Sequence, residues 1–303
     1  MENRIIGIYE YQERFPDNGQ EKLPQSMQLS TASNEAILLR LLLGQIRFKK
    51  STGSLVEPQN NFMLLPAVQT ESFTDKAISD VFSNSGDPID VVKANNGDIE
   101  KYFQQNRKNH DIHEKVLFEI SNYFSSQEYS PIEAFTHLYR CLEFVAYSFP
   151  MIYAGKSKNY KGTFSALKKF FSGDPAGELK FFCNFLDTLY DDEKTVLDYK
   201  FEIDLKMSYP ITALEKELHL IYKRETYEIE SEVLSLKFKD MADFFVTTRN
   251  RFFHMLVGQG QGNFCSNEYD IGEYFDSINP HILNWLSMII QKITIYGFYS
   301  SLN

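Results

Sequence analysis

One tryptophan and three cysteines are all that the 303 residues contain of these two types, and basic side chains are outnumbered by acidic ones. Cys141, Cys183 and Cys265 are too few and too far apart for a disulfide framework or a C-x-x-C metal knuckle. They are expected to be reduced core thiols of a cytosolic protein. With 31 Lys and Arg against 41 Asp and Glu, the formal charge is −10, which excludes a protein that coats nucleic acid through general charge, because such binding needs clustered cations. Residues 1–129 hold 13 basic and 18 acidic side chains and the remainder 18 and 23, so neither half is a basic module, though a local basic cleft is still open. The first twenty residues lack the apolar stretch and small-residue cleavage site of an export signal. The most apolar run, Ile282–Leu302, is broken by Asn284, Gln291 and Lys292. It reads as a helix buried in a bundle or dimer seam, not a membrane span.

Several catalytic signatures are also missing. Gly155-Lys156-Ser157 imitates the end of a phosphate-binding loop, but Pro150 stands where its first glycine belongs. Gly258, Gly260 and Gly262 follow a helix instead of opening one, so they read as a helix stop. There is no G-x-S-x-G. His110, His113, His137, His219, His254 and His281 are not paired at zinc-helix spacing. No cofactor or metal is expected.

Apolar mass, by contrast, is plentiful: 43% of residues are hydrophobic, with 26 Phe and 18 Tyr, enough for a substantial core. The chain reads as an α+β protein of two domains, a mixed α/β or β-containing module over 1–125 and an all-helical domain over 126–303. In the first, Arg4–Gln12 and Asn61–Val68 are short β-prone runs, and Asn34–Phe48 lies between them as a helix candidate. Ile99–Asn106 and Asp111–Ser125 have a helical pattern. From Ser130 the chain reads as helices: one opened by Pro131 with Glu133 in its first turn, then Thr163–Phe171, Glu178–Tyr190, Ile211–Lys223, Ser231–Val257 and Pro280–Ser300.

The stretch Asp243–Gly258, DFFVTTRNRFFHMLVG, sets Arg249-Asn250-x-x-x-His254 inside a strongly apolar helix. Asn250 and His254 are four apart and share a face, while Arg249 lies about 140° round from His254. Its long side chain can still reach the same pocket. This arrangement resembles the HEPN superfamily, whose signature is Arg, usually followed by Asn or another polar residue, then His after four to six intervening positions. A long helix from Pro131, a late motif helix and a closing apolar helix extend the resemblance over roughly residues 130–303; residues 1–125 take no part in it. It implies a homodimeric, metal-independent endoribonuclease in which His254 moves protons, Arg249 stabilises the charged phosphorane, and Asn250 orients His254 or donates to a phosphate oxygen. The product would be a 2′,3′-cyclic phosphate. The loose spacing alone is unspecific, since Arg107 and His113 have five residues between them in this same chain.

Around this motif, Glu143 is a candidate to pair with Arg249 and hold its fork, or it is an exposed helix glutamate. Lys156, Lys158 and Lys161, followed by Lys168 and Lys169, form the densest basic stretch of the C-terminal half. They either guide RNA, tRNA being one possible substrate, or are solvated lysines. The leading expectation is a toxin-like or antiviral-defence ribonuclease whose N-terminal module docks a regulatory partner protein. The alternatives are a non-catalytic HEPN-like interaction subunit of a multi-protein defence complex and a nucleotide sensor.

Overall fold

The computed structural model describes residues 3–14, 23–58, 96–171, 181–182, 185–191, 193–208, 211–222, 227–253, 263–264 and 269–302. A mixed β/α N-terminal region precedes a largely α-helical C-terminal one. By spatial contact the chain divides into two compact units, Met1–Glu128 with Arg140–Val145 and Leu286–Asn303, and Tyr129–Tyr139 with Ala146–Trp285.

The first unit begins with an antiparallel hairpin, β1 (Asn3–Ile6) and β2 (Tyr9–Glu13), paired Ile5 to Glu10. Gly7 makes its turn at φ 57°, and a Cβ there would lie 3.2 Å from the Phe118 ring, so glycine is required both by conformation and by close approach. Helix α1 (Asn34–Leu42) follows, started by Ser33, whose hydroxyl accepts from the Ala36 amide at 3.2 Å. It ends at Gly44, φ 73°, and the chain then enters β3 (Ile46–Lys50) and β4 (Leu55–Val56), completing a sheet of order β1-β2-β3-β4. The helix expected over Asn34–Phe48 therefore stops early. Tyr9, Tyr11, Ile46 and Phe48 are buried on one sheet face while Glu10, Gln12, Arg47 and Lys49 alternate on the other. Helices α2 (Asn96–Gln105) and α3 (His110–Ser126) follow; α1 packs on α3, and Phe118 of α3 meets the Tyr9 ring at 5.4 Å. The strand expected at Asn61–Val68 lies outside the described residues.

Two polar knots are buried in this unit. Arg40 donates to both carboxylate oxygens of Glu13 at 3.0 and 2.5 Å, to Gln45 at 2.8 Å and to the Met27 carbonyl at 2.8 Å. Glu35 accepts from Tyr102 at 2.7 Å, Asn106 at 2.5 Å and Thr294 at 3.4 Å. Burial, and then the neighbouring Glu35 carboxylate, push the Tyr102 phenol well above its ordinary pKa.

Helix α4 (Pro131–Val145) starts where its sequence predicts. Its residues up to Tyr139 belong to the second unit, which continues with α5 (Phe149–Lys156) and α6 (Tyr160–Phe170). The all-helical expectation fails over 200–237, where β5 (Lys200–Asp204), β6 (Tyr227–Glu230) and β7 (Val233–Lys237) form an antiparallel sheet of order β5-β7-β6, with α7 (Thr212–Ile221) between β5 and β6. The helix predicted over Ser231–Val257 is replaced by a tight turn at Ser231 and Glu232, φ 52° and 70°, then β7, and only then α8 (Met241–Phe253). Helix α9 (Ile271–Leu302) begins well before Pro280 and carries that proline inside it, at the cost of one backbone hydrogen bond. The single Trp285 is fully buried; its indole donates to the Phe238 carbonyl at 3.1 Å, and Phe182, Phe238 and Phe245 pack round it. No helix among the described residues is long and apolar enough to cross a membrane.

His281 on α9 is half-buried, edge-on to Phe201 at 6.3 Å, and its Nδ1 has no hydrogen-bond partner among the described residues. Burial holds its pKa below the ordinary 6.5. Above about pH 6.5 both folded and unfolded imidazoles are neutral. As pH falls below that value, the unfolded chain binds the proton first and stability drains away until the folded imidazole is also protonated. His281→Phe should raise the melting temperature by about 2–4 °C at pH 7, for about 1 kcal/mol regained from an unmade hydrogen bond. The gain should be larger at pH 5.5. Equal shifts at both pH values in calorimetry would show that His281 does not titrate with folding.

Candidate functional site

Helix α8 turns Met241, Phe244, Phe245 and Thr248 into the second unit's core, a spacing of three and four that follows from 3.6 residues per turn. Thr248 caps this buried stripe internally, bonding to the Phe244 carbonyl at 2.7 Å and to the Tyr222 hydroxyl. Tyr222 stacks on Phe244 at 5.0 Å, and burial raises its phenol well above the ordinary pKa, so the hydroxyl stays protonated. The helix is thereby held firmly on one side, and Arg249 and Asn250, both half-buried, fall on its margin.

These two residues touch. The Arg249 Nη1 donates to Asn250 Oδ1 at 3.0 Å, and the guanidinium carbon lies 4.8 Å from the centre of the Tyr139 ring. Cation–π attraction holds the guanidinium over that ring, and Tyr139 is itself held edge-on to Phe245 at 5.5 Å. A side chain of many rotamers is thus given a defined orientation before any ligand arrives. With its oxygen occupied by Arg249, the Asn250 amide presents its NH₂ group as a donor.

Beyond Arg249 the helix runs into an aromatic cluster. Phe252 meets Phe275 at 4.9 Å, Phe275 meets Phe135 at 4.7 Å, and Phe135 stacks on Phe253 at 6.4 Å. Phe253 keeps 43% of its surface exposed, so the last described turn of α8 is both anchored and open to solvent on one side. His254, the next residue, lies outside the described residues, as do Cys183 and Cys265.

Of the other side chains singled out in the sequence, Glu143 is exposed and belongs to the first unit, whereas Arg249 belongs to the second. The Lys156 ammonium is engaged at home, donating to the Leu189 carbonyl at 3.1 Å and to Asp191 at 2.6 Å. Lys158 and Lys161 are exposed. His113 lies 3.8 Å from buried Glu35, and His219 shares a 2.7 Å hydrogen bond with Tyr227. Among the described residues no three His, Cys, Asp or Glu side chains are placed to hold a metal ion. Tyr139 was not identifiable as part of the site: it stands 110 positions before Arg249, and only its spacing of four from Phe135 hints at an aromatic face on α4.

The chain matches no family model, no curated protein and no solved structure.

Proposed function

We propose that this chain is a metal-independent endoribonuclease of the HEPN type, working as a homodimer in which Arg249, Asn250 and His254 form the cleaving site. The observation that carries the reading is the pre-set pair on α8, with the Arg249 guanidinium over the Tyr139 ring and bonded to Asn250. RNA brings its own nucleophile, so the protein's work is proton transfer and charge stabilisation. The 2′-hydroxyl proton passes to the neutral His254 imidazole, and the 2′-oxygen bonds to phosphorus. The bond from phosphorus to the 5′-oxygen then breaks, and that oxygen takes a proton from an imidazolium. Arg249 faces the phosphorane oxygens, where a planar fork gives two parallel charge-assisted bonds, and the Asn250 amide donates to a phosphate oxygen or to the imidazole. A toxin-like or antiviral-defence role, with tRNA as substrate and the N-terminal region as the dock for a regulatory partner, fits an enzyme whose overall charge of −10 opposes indiscriminate RNA binding.

The test is incubation of the purified chain with total tRNA in EDTA beside Arg249→Ala and His254→Ala. Wild type should yield fragments ending in 2′,3′-cyclic phosphate and both variants should yield none. Fragments of equal abundance in all three samples would trace to a contaminant and end the proposal. Intact tRNA in all three, with a dimer in solution, would favour the non-catalytic interaction subunit.

A further inference from the structure

Between Glu143 and Asp174 the chain has no acidic side chain, although 41 of its 303 residues are Asp or Glu. The same stretch holds Lys156, Lys158, Lys161, Lys168 and Lys169 and no other charge. It also leaves large apolar side chains in solvent: Tyr147, Met151, Tyr160, Phe164 and Phe171 are each at least 69% exposed. The three aromatics at its end share one side of α6. At about 100° per residue, Tyr160, Phe164, Leu167 and Phe171 fall within about 60° of arc, and α6 contains no fully buried residue at all.

The two flanks of this column differ. Lys161 and Lys168 stand on one, about 40–60° from Phe164, and both are exposed. On the other, Phe170 turns inward to meet Phe181 at 4.6 Å, and the Thr163 hydroxyl is tied to the Asn159 carbonyl at 2.7 Å. A row of exposed rings therefore runs beside a row of cations, backed by packed protein.

We propose that this face of α6 is a platform for single-stranded RNA, on which bases stack against Tyr160, Phe164 and Phe171 while Lys158, Lys161 and Lys168 meet the phosphates. Aromatic faces accept any base and adjacent lysines hold the backbone, the combination used wherever single strands are held without sequence preference. Rings four apart on a helix are separated by about 5–6 Å, which leaves room for one base against each. An anionic bilayer fits less well. A helix lying in a membrane needs a wide apolar face with cations on its polar side, but here the arc is narrow and one flank is already packed. A flat anionic surface would also feel the chain's charge of −10, whereas a strand covers only the patch. A second copy fits less well still, because a twofold contact through this face would set its lysines against their own images.

The choice of RNA as the polyanion rests on the ribonuclease reading, and the experiment keeps the two apart. A fluorescein-labelled 2′-O-methyl oligouridine of twelve residues, which offers no 2′-nucleophile, is titrated with the full chain while anisotropy is followed. Wild type should bind with an affinity that falls as salt rises. Tyr160→Ala and Phe164→Ala should each weaken binding at least about fivefold, and Lys161→Gln with Lys168→Gln should lower the slope of log affinity against log salt by about 1.4. Since these side chains are exposed, the variants should melt as wild type does. Binding by wild type that cuts no tRNA would remove the ribonuclease reading and leave this one. Absence of binding by wild type, or variants that bind as well as it does, would overturn the platform. So would variants that lose affinity for phosphatidylserine vesicles, or change mass by light scattering, while keeping the oligonucleotide.

Discussion

Arg249→Lys should cut tRNA about 100- to 1000-fold more slowly than wild type, nearly as poor as Arg249→Ala, with the loss in kcat and little change in KM. Lysine keeps the charge, but its compact ammonium cannot reproduce the fork, nor can it both sit over Tyr139 and reach Asn250. Arg249 lies at the half-buried margin of α8, outside its packed stripe, so the fold should survive, and a melting temperature within a few degrees of wild type should confirm that. Tyr139 acts through Arg249 and is a positioning residue. Tyr139→Leu should lower kcat about tenfold by loosening the guanidinium, and Tyr139→Phe, which keeps the ring, should restore it. Near-normal cutting by Arg249→Lys would remove the bidentate grip on phosphate from the mechanism. An equal loss in both Tyr139 variants would assign the effect to its hydroxyl instead.

The largest expected loss of stability lies in the other unit. Arg40 is 2% and Glu13 4% exposed, and the guanidinium spends its donors on a carboxylate, an amide and a backbone carbonyl at once. Arg40→Ala leaves that carboxylate in hydrocarbon without its cation, along with a cavity, and should cost about 3–5 kcal/mol in urea unfolding. The paired replacement Arg40→Met with Glu13→Leu should return most of this, because two apolar groups leave no charge to desolvate. A loss under about 1 kcal/mol for Arg40→Ala would mean that Glu13 is already solvated by other means. Tyr9 and Tyr11, whose hydroxyls bond to Asn122 and Ser121 of α3, carry the same sheet face and should be unaffected by the pair.

Local signals were legible wherever the residue type itself dictates the backbone. The start expected at Asn34 is where α1 begins, and Pro131 stands at the head of α4. Arg249 and Asn250 were readable because adjacency on a helix brings them together without help from the rest of the chain. The errors have equally local causes. Gly44 ends α1 before Ile46 and Phe48, which then alternate as strand residues. Ser231 and Glu232 take positive φ at a turn that usually announces itself with Asn or Gly. The alternation of Val233–Lys237, buried at Leu234 and Leu236, was therefore absorbed into the helical pattern after it. Pro280 was read as a helix start because it is disfavoured inside one; packing of α9 on both sides of it outweighs the lost bond. What orients Arg249 was invisible, since nothing in the 109 intervening residues ties Tyr139 to it.

A lone indole sunk among phenylalanines has an optical consequence. Its emission comes from one address, Trp285, which belongs to the second unit. A shift of that light toward longer wavelength registers water reaching the sheet and helices around it and nothing else. Ellipticity sums over every helix in the chain, so a denaturant titration followed by both signals is a ready-made comparison of how cooperatively the polypeptide comes apart.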